Sequence, residues 1–340
     1  MKAYLLPCAF GDGSALAGGL VRFDAVELIV RDGAKVVRRE RYPLDRVTAS
    51  VDVTLRRQAE RVAARLVAPR PPIAGLGFDR ASVMGILNVT PDSFSDGGQY
   101  GDAAAAVAAA RAMCAAGAAI VDVGGESSRP GAPDVPLDEE LRRIAPVAAA
   151  LHGVPWSIDT RKAAVMAHAL DSGAVVVNDV SALTYDADAL ALLAARSCPV
   201  VLMHAQGTPQ SMQDAPEYDD VLLDVYDWLE ARIDACTAAG IDRARIIVDP
   251  GIGFGKTLTH NLELLRGLGL FHGLGCPILL GVSRKKMIGR LTGAEVGDRL
   301  PGSLALALHG LAQGVQIVRV HDVAATVQAV RVWEALASVT

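Results

Sequence analysis

A chain of 340 residues, 51% hydrophobic and 21% charged, is long enough to bury a large core as one big domain or as a domain with an appendage. Its net charge of −5 leaves no surplus of lysine and arginine for a nucleic-acid backbone, so small-molecule chemistry is the expectation. Five scattered cysteines, Cys8, Cys114, Cys198, Cys236 and Cys276, contain no Cys-x-x-Cys pair, which argues against a disulfide framework or a zinc ribbon. With neither a secretory signal nor an apolar run near about 18 residues, the chain reads as a soluble cytoplasmic protein with no membrane partner.

Residues 1–72 form one unit in this reading. VRFDAVELIVRDG (21–33) followed by AKVVRRERYPL (34–44) predicts a hairpin-like pair, and VTLRRQAERVAARLVA (53–68) an amphipathic helix that stops before Pro69. PRPP (69–72) reads as a linker. The result is a small α+β extension with no legible role, expected to pack on the rest of the chain or on a partner subunit.

From residue 83 onward a short apolar run, a polar or glycine-rich turn and a helical segment recur. The runs are VMGIL (83–87), AIVDV (119–123), VPWSI (154–158), AVVV (174–177), PVVLM (199–203), RIIV (245–248), PILLGV (277–282) and VQIVRV (315–320). Helix signals lie between them: Asp102 before 103–116 with Gly117 after, Asp186 before ADALALLAA, a long helix over about 217–239, and a last one over about 322–337. Continuous apolar strands are buried on both faces, and eight strand-helix units close a (β/α)8 barrel, here over 80–338. An open doubly wound sheet is the alternative.

In such a barrel the active site gathers at the C-terminal ends of the strands. Those positions hold Asn88, Asp122, Asp159, Asn178, Met203 with His204, Asp249, Ser283 with Lys285, and Arg319 with His321. Singly each has an ordinary reading as a helix cap or turn residue. Jointly, carboxylates and carboxamides on one rim stay unpaired or repel unless a donor-rich ligand sits among them.

Two turns, 88–101 and 124–136, are longer than such connections require and read as binding loops, the first carrying Phe94 and the second Arg129. Arg319 and His321, two apart in an extended run, share a face and with Arg129 make an anion site. A magnesium ion shared with phosphates needs few protein ligands, and the Asn88 carboxamide oxygen suffices. His204 reads as a packed histidine and no zinc spacing occurs. DPGIGFGKT (249–257) ends like a phosphate-binding loop, but Pro250 stands where the first glycine belongs. Its lysine, Lys256, either orients Asp249 and its neighbours or lies along the rim.

LNVTPDSFSDGG (87–98), DVGGESSRPGA (122–132), SIDT (157–160), NDV (178–180), LMHAQG (202–207), DPGIGFGK (249–256), GVSRK (281–285) and RVHDV (319–323) together resemble the dihydropteroate synthase family, the folate-pathway enzymes that sulfonamides inhibit. The resemblance spans about residues 80–338 with every motif in order. It implies condensation of 6-hydroxymethyl-7,8-dihydropterin diphosphate with 4-aminobenzoate, with magnesium, in a homodimer. By position it implies that Asp122, Asp159, Asn178, Asp249 and Lys285 hold the pterin with Met203 in the pocket wall, and that Asn88 meets the magnesium ion. Ser128, Arg129, Arg319 and His321 fall on the diphosphate, and Phe94, Pro130, Phe254, Ser283 and Arg284 near the aminobenzoate.

Ser128 departs from the family's commoner threonine but keeps the hydroxyl, and Ala205 replaces a frequent methionine outside the direct contacts. Two other readings compete. A pterin-dependent methyltransferase of the same superfamily releases no diphosphate and has no use for Arg129, Arg319 and His321 together. An inactive paralogue serving as a binding subunit predicts losses at Asn88, Arg129, Lys285 or Arg319, and none is present.

Overall fold

The computed structural model describes residues 1–89, 99–127, 131–207 and 211–339, with the backbone alone for 99–102. Strands β4 (Ser82–Asn88), β5 (Ile120–Gly124), β6 (Trp156–Asp159), β7 (Val176–Asp179), β8 (Val200–Met203), β9 (Ile246–Asp249), β10 (Leu279–Leu280) and β11 (Ile317–Val320) follow one another in a single parallel sheet, β11 pairing β4 and β10 pairing β11. A bridge from Val248 to Ile278 links β9 to the start of β10 and completes the ring. The (β/α)8 barrel is thus the observed architecture, and each apolar run falls on its strand. The seventh run shortens to two residues because backbone N–H and C=O groups near 278 bond irregularly: Ile278 O accepts from both Gln316 and Ile317, and its N–H goes to the Gln316 side chain.

Between the strands lie α2 (Gln99–Ala115), α3 (Leu137–Ala148), α4 (Ala163–Asp171), α5 (Ala189–Ala195), α6 (Val221–Ala238), α7 (Leu258–Arg266), α8 (Lys286–Thr292), α9 (Leu300–Leu311) and α10 (Val323–Ala337). Three expected starts move. Helix α2 begins at Gln99, so Asp102 lies inside it. Asp186 does not cap the helix that follows it; its carboxylate accepts from Asp188 N and, at 2.8 Å, from Ala163 N at the start of α4. Helix α6 begins at Val221, four residues later than read, where Asp220 takes the N–H groups of Leu222 and Leu223.

The period-2 geometry of strands decides what faces the barrel axis. Met84, Ile120, Val176, Val201, Ile247, Leu279 and Ile317 form one apolar layer inside the barrel. Ile73, Leu76 and Phe78 close that layer from below, on a turn tied by Ile73–Leu76 backbone bonds. Two residues further along each strand the same inward face reaches Ile86, Asp122, Asn178, Met203, Asp249, Gly281 and Arg319. The core therefore ends and the polar rim begins within one strand step.

The extension is a three-stranded antiparallel sheet, β1 (Lys2–Ala15), β2 (Arg22–Asp32) and β3 (Lys35–Pro43), with helix α1 (Val53–Val67) across one face. Strand β1 is absent from the sequence reading, which saw only the β2–β3 hairpin; Pro7 is tolerated in it because β1 is an edge strand. Leu55, Ala59, Val62 and Leu66, at helical spacing, bury against Leu5, Phe23, Val26 and Leu28. The alternate positions Tyr4 and Ile29 face the other way and join the barrel's own outer core. Sheet and barrel are also linked by charge: Lys2 reaches Asp227 and Glu230, and Arg31 reaches Asp224 at 2.6 Å, all on α6.

Three arginines fix the turn that leads into β10. Arg70 donates to His272 O at 2.9 Å, Arg65 to Gly273 O at 3.3 Å and Arg243 to Leu274 O at 2.7 Å. These carbonyls end the 3-10 turn Leu268–Leu274, every residue of which is buried. Cations at the carbonyl end of a helical segment satisfy its orphan acceptors. Two of the three come from residues 1–72.

Candidate active site

A cavity of about 560 Å³ opens at the C-terminal ends of the strands. Of the residues singled out in the sequence, Asn88, Asp159, Asn178, Met203, Asp249, Phe254, Ser283, Arg284, Lys285, Arg319 and His321 line it. Asp122 sits under the lining, fully buried. Phe94, Ser128, Arg129 and Pro130 lie outside the described residues. The volume falls within the range of small-molecule sites.

The floor is a carboxylate cluster held by one guanidinium. Arg319, projecting from β11, donates through Nε to Asp122 and through Nη2 to Asp159, each at 2.6 Å. Asp122 also accepts from Ser157 Oγ at 2.6 Å and Asn178 Nδ2 at 2.9 Å. Ser157 was not among the sequence candidates; it lies two residues before Asp159, so strand alternation alone would have placed it on the same face. Burial pushes the Asp159 carboxyl up to about 7, with Arg319 opposing and Asp122, Glu140 and Asp179 adding to the rise. The sequence pairs Arg319 with His321 as an anion site, and in the fold its fork is engaged by two carboxylates.

The turn after β9 forms one wall. Asp249 Oδ1 accepts from Gly251 N at 2.7 Å, and burial raises its pKa against the cations Lys285, Arg319 and Lys256. Gly251 has φ +69, and a Cβ there would stand 1.8 Å from His204 O. Only glycine allows that approach. Gly253 N donates to Asn261 Oδ1 at 2.6 Å, and Tyr218 OH donates to Gly255 O at 2.7 Å. The Phe254 ring faces Lys285 Nζ, 4.1 Å from its centroid, a cation-π distance.

The opposite wall is the turn after β10. Ser283 Oγ accepts from His321 N and lies 3.0 Å from His321 Nδ1. Arg284 sits at φ +56, an uncommon region for a residue with a side chain, and its guanidinium grips Asp322 at 2.9 and 2.5 Å. That pairing holds Arg284 at the cavity wall. Lys285 begins the approach to α8.

A buried ionic network supports the second long loop, and the sequence reading did not find it. Glu126 accepts from Arg161 at 3.0 Å, Lys162 at 3.0 Å and Val135 N at 2.9 Å. Lys162 also reaches Glu140 at 2.5 Å, which accepts from Thr160 at 2.6 Å. Arg161 stacks 4.1 Å from the Tyr185 ring and pairs Asp134 at 3.0 Å. Buried charges persist only when paired, and Glu126 in ESS with Arg161 and Lys162 in DTRK, each just past a strand end, are the available signal. His204 is packed as expected, edge-on to Trp228 with ring centroids 5.0 Å apart.

A parallel barrel whose mouth lays buried carboxylates and a carboxamide beside a lysine and an arginine defines an enzyme for a flat, donor-rich heterocycle. Residues 84–321 match the family model described as pterin binding enzyme. The chain is 48% identical to the dihydropteroate synthase of Escherichia coli over 248 residues, 72% of this chain and 88% of that one. Its structure resembles Xanthomonas albilineans dihydropteroate synthase with 4-aminobenzoic acid, with a TM-score of 0.74 and 48% identity over 78% of this chain and 97% of that one. The same enzyme in complex with 7,8-dihydropteroate gives a TM-score of 0.71 and 45% identity, again over 78% and 97%. The chain belongs to the pterin-binding enzymes and, among them, to the dihydropteroate synthase family.

Proposed function

We infer that this chain condenses 6-hydroxymethyl-7,8-dihydropterin diphosphate with 4-aminobenzoate to 7,8-dihydropteroate and diphosphate. The observation that carries the reading is the acceptor set of the cavity, Asp159, Asn178 and Asp249 around a buried Asp122. A pterin edge presents several N–H donors, and buried acceptors reject rings that lack them. Asp122 and Asn178 hold each other in place, so Asp122 acts from beneath by orienting Asn178 and Arg319. Met203 supplies apolar wall, and Lys285 bridges the pterin side to Phe254.

The aminobenzoate lies, in this reading, against Phe254, Ser283 and Arg284, with Phe94 and Pro130 contributed by the long loops. Ser128, Arg129, Arg319 and His321 take the diphosphate. Charge grows on that leaving group as the C–O bond breaks, and preorganised cations there lower the barrier. The pterin delocalises positive charge left on its methylene carbon, so the displacement is dissociative. The aminobenzoate nitrogen forms the new C–N bond and loses a proton, and no side-chain nucleophile is required. Positioning of the amine contributes up to about 7–11 kcal/mol in ideal cases.

Magnesium fits the donors present. Asn88 lines the cavity at the end of β4 and offers a hard carboxamide oxygen. Among the described residues no cluster of three His, Cys, Asp or Glu side chains could hold a metal, which suits a cation shared with diphosphate oxygens and water. When bound, magnesium neutralises charge on the departing diphosphate.

Among the described residues no helix is long and apolar enough to cross a membrane. The homodimer that family membership implies is tested by light scattering, which a single-chain mass at micromolar concentration would contradict. The reaction itself is tested by incubating both substrates with magnesium and identifying the product by mass. Dihydropteroate is expected; no product from fresh substrates would sink the reading.

A further inference from the structure

Lys256 is 2% exposed, and among the described residues its ammonium meets no carboxylate within ion-pair distance. A lysine buried that deeply must be hydrogen-bonded or neutral. Its Nζ lies 2.9 Å from His204 Nδ1, and it donates to Phe254 O at 2.9 Å and His204 O at 3.3 Å. Burial, with Lys285 adding and Asp249 opposing, brings its pKa down to about 7. Burial and Lys256 push His204 down to about 2, so the imidazole is neutral, and in the tautomer protonated at Nε2 its Nδ1 accepts the lysine N–H.

The lysine joins two neighbouring segments. One is the chain leaving β8 at His204, directly after Met203. The other is the glycine turn after β9, which rests on the same His204 carbonyl through Gly251 and holds Asp249 by the Gly251 N–H. Gly255 presses on Gln206, two residues beyond His204, where a Cβ would stand 2.6 Å from Gln206 O.

We propose that Lys256 is a positioning residue for pterin binding: through His204 and the Phe254 carbonyl it clasps the turn after β9 and sets Asp249 toward the pterin. The proposal rests on the reading of Asp249 as a pterin acceptor. Lys256 lines the same cavity, and its role in the proposal runs through the turn. Its second effect is electrostatic, since Asp249 faces Lys285, Arg319 and Lys256 and loses one of these cations when the lysine is neutral or replaced.

The test is calorimetric titration of 6-hydroxymethylpterin into wild type and Lys256→Gln across pH, with thermal melting alongside. The expected result is about tenfold weaker pterin binding, and an acid limb displaced to higher pH because Asp249 protonates more readily. Unchanged affinity and an unmoved acid limb overturn the proposal. If Lys256→Gln does not fold, His204→Asn, which keeps an acceptor for the ammonium, and His204→Leu, which removes it, carry the same test. Leucine must weaken pterin binding and asparagine retain it; equal affinities overturn the proposal. A wild type that binds no pterin overturns the functional reading and this proposal together, whereas a wild type that binds and variants that match it overturn this proposal alone.

Discussion

Arg319 and Asp122 face each other across the barrel floor at 2.6 Å, and the same guanidinium closes on Asp159 at 2.6 Å. One side chain from β11 thus ties β5 and β6 together at the depth where the apolar core ends. Two buried carboxylates beside each other are tolerable only with such a cation between them. The site is preorganised by its own charges before any ligand enters.

Removing that cation leaves two buried carboxylates without a counter-charge. Arg319→Ala is expected to lower unfolding free energy by about 3–5 kcal/mol, measured by urea denaturation at neutral pH. Arg319→Lys, which can hold one carboxylate but not both in a fork, falls between. A variant as stable as wild type would show that the pair contributes little.

The raised pKa of Asp159, about 7, gives a pH prediction for binding. A pterin that donates N–H groups prefers the ionised carboxylate, so binding near neutrality expels part of a proton. Affinity should level off above about pH 7 and fall below it, approaching tenfold per unit. Calorimetry in two buffers of different ionisation enthalpy reads the released proton. No net release between about pH 6 and 8 would refute the assignment of Asp159.

Gly251 allows the turn after β9 to lie on His204 O. Gly251→Ala places a methyl 1.8 Å from that oxygen at φ +69, so the turn must move and carry Asp249 with it. A displacement near 1 Å at a reacting site costs on the order of 100-fold in kcat/KM. Activity within about twofold of wild type would mean that the position of Asp249 is less critical than argued.

The extension is predicted to be structural. Arg70 is 7% exposed, and burial lowers its pKa only to about 10, so it remains a cation on the His272 carbonyl at neutral pH. Arg70→Ala should cost about 1–3 kcal/mol by orphaning that acceptor, with kcat at 25 °C close to wild type. Deleting residues 1–72 uncovers the α6 surface under Tyr4 and Ile29 and should yield aggregated protein. A soluble, fully active barrel from that deletion would contradict the packing role.

Much of this molecule is legible in its sequence. Eight apolar runs fix the barrel because strands buried on both faces need no polar alternation, and a two-residue step from Ile317 to Arg319 or from Ile247 to Asp249 marks where core becomes site. What periodicity cannot give is partnership. It puts Arg319 on the inner face but does not say that Asp122 and Asp159 occupy its fork. It does not show that Asp186 serves α4, because a helix N–H distant in sequence competes equally with the nearest one. Nor does it show which of the many charges are buried: Glu126, Glu140, Arg161 and Lys162 read like any solvated residues until the fold brings them together. Strand β1 was missed because Pro7 suits an edge strand, and edges are set by tertiary neighbours.

The central claim is most directly tested by diphosphate release with magnesium and the pterin diphosphate present, with and without 4-aminobenzoate. Release is expected only when the amine is supplied, with one dihydropteroate formed for each diphosphate. Equal release without 4-aminobenzoate, or none with it, would show that the chain is not a dihydropteroate synthase.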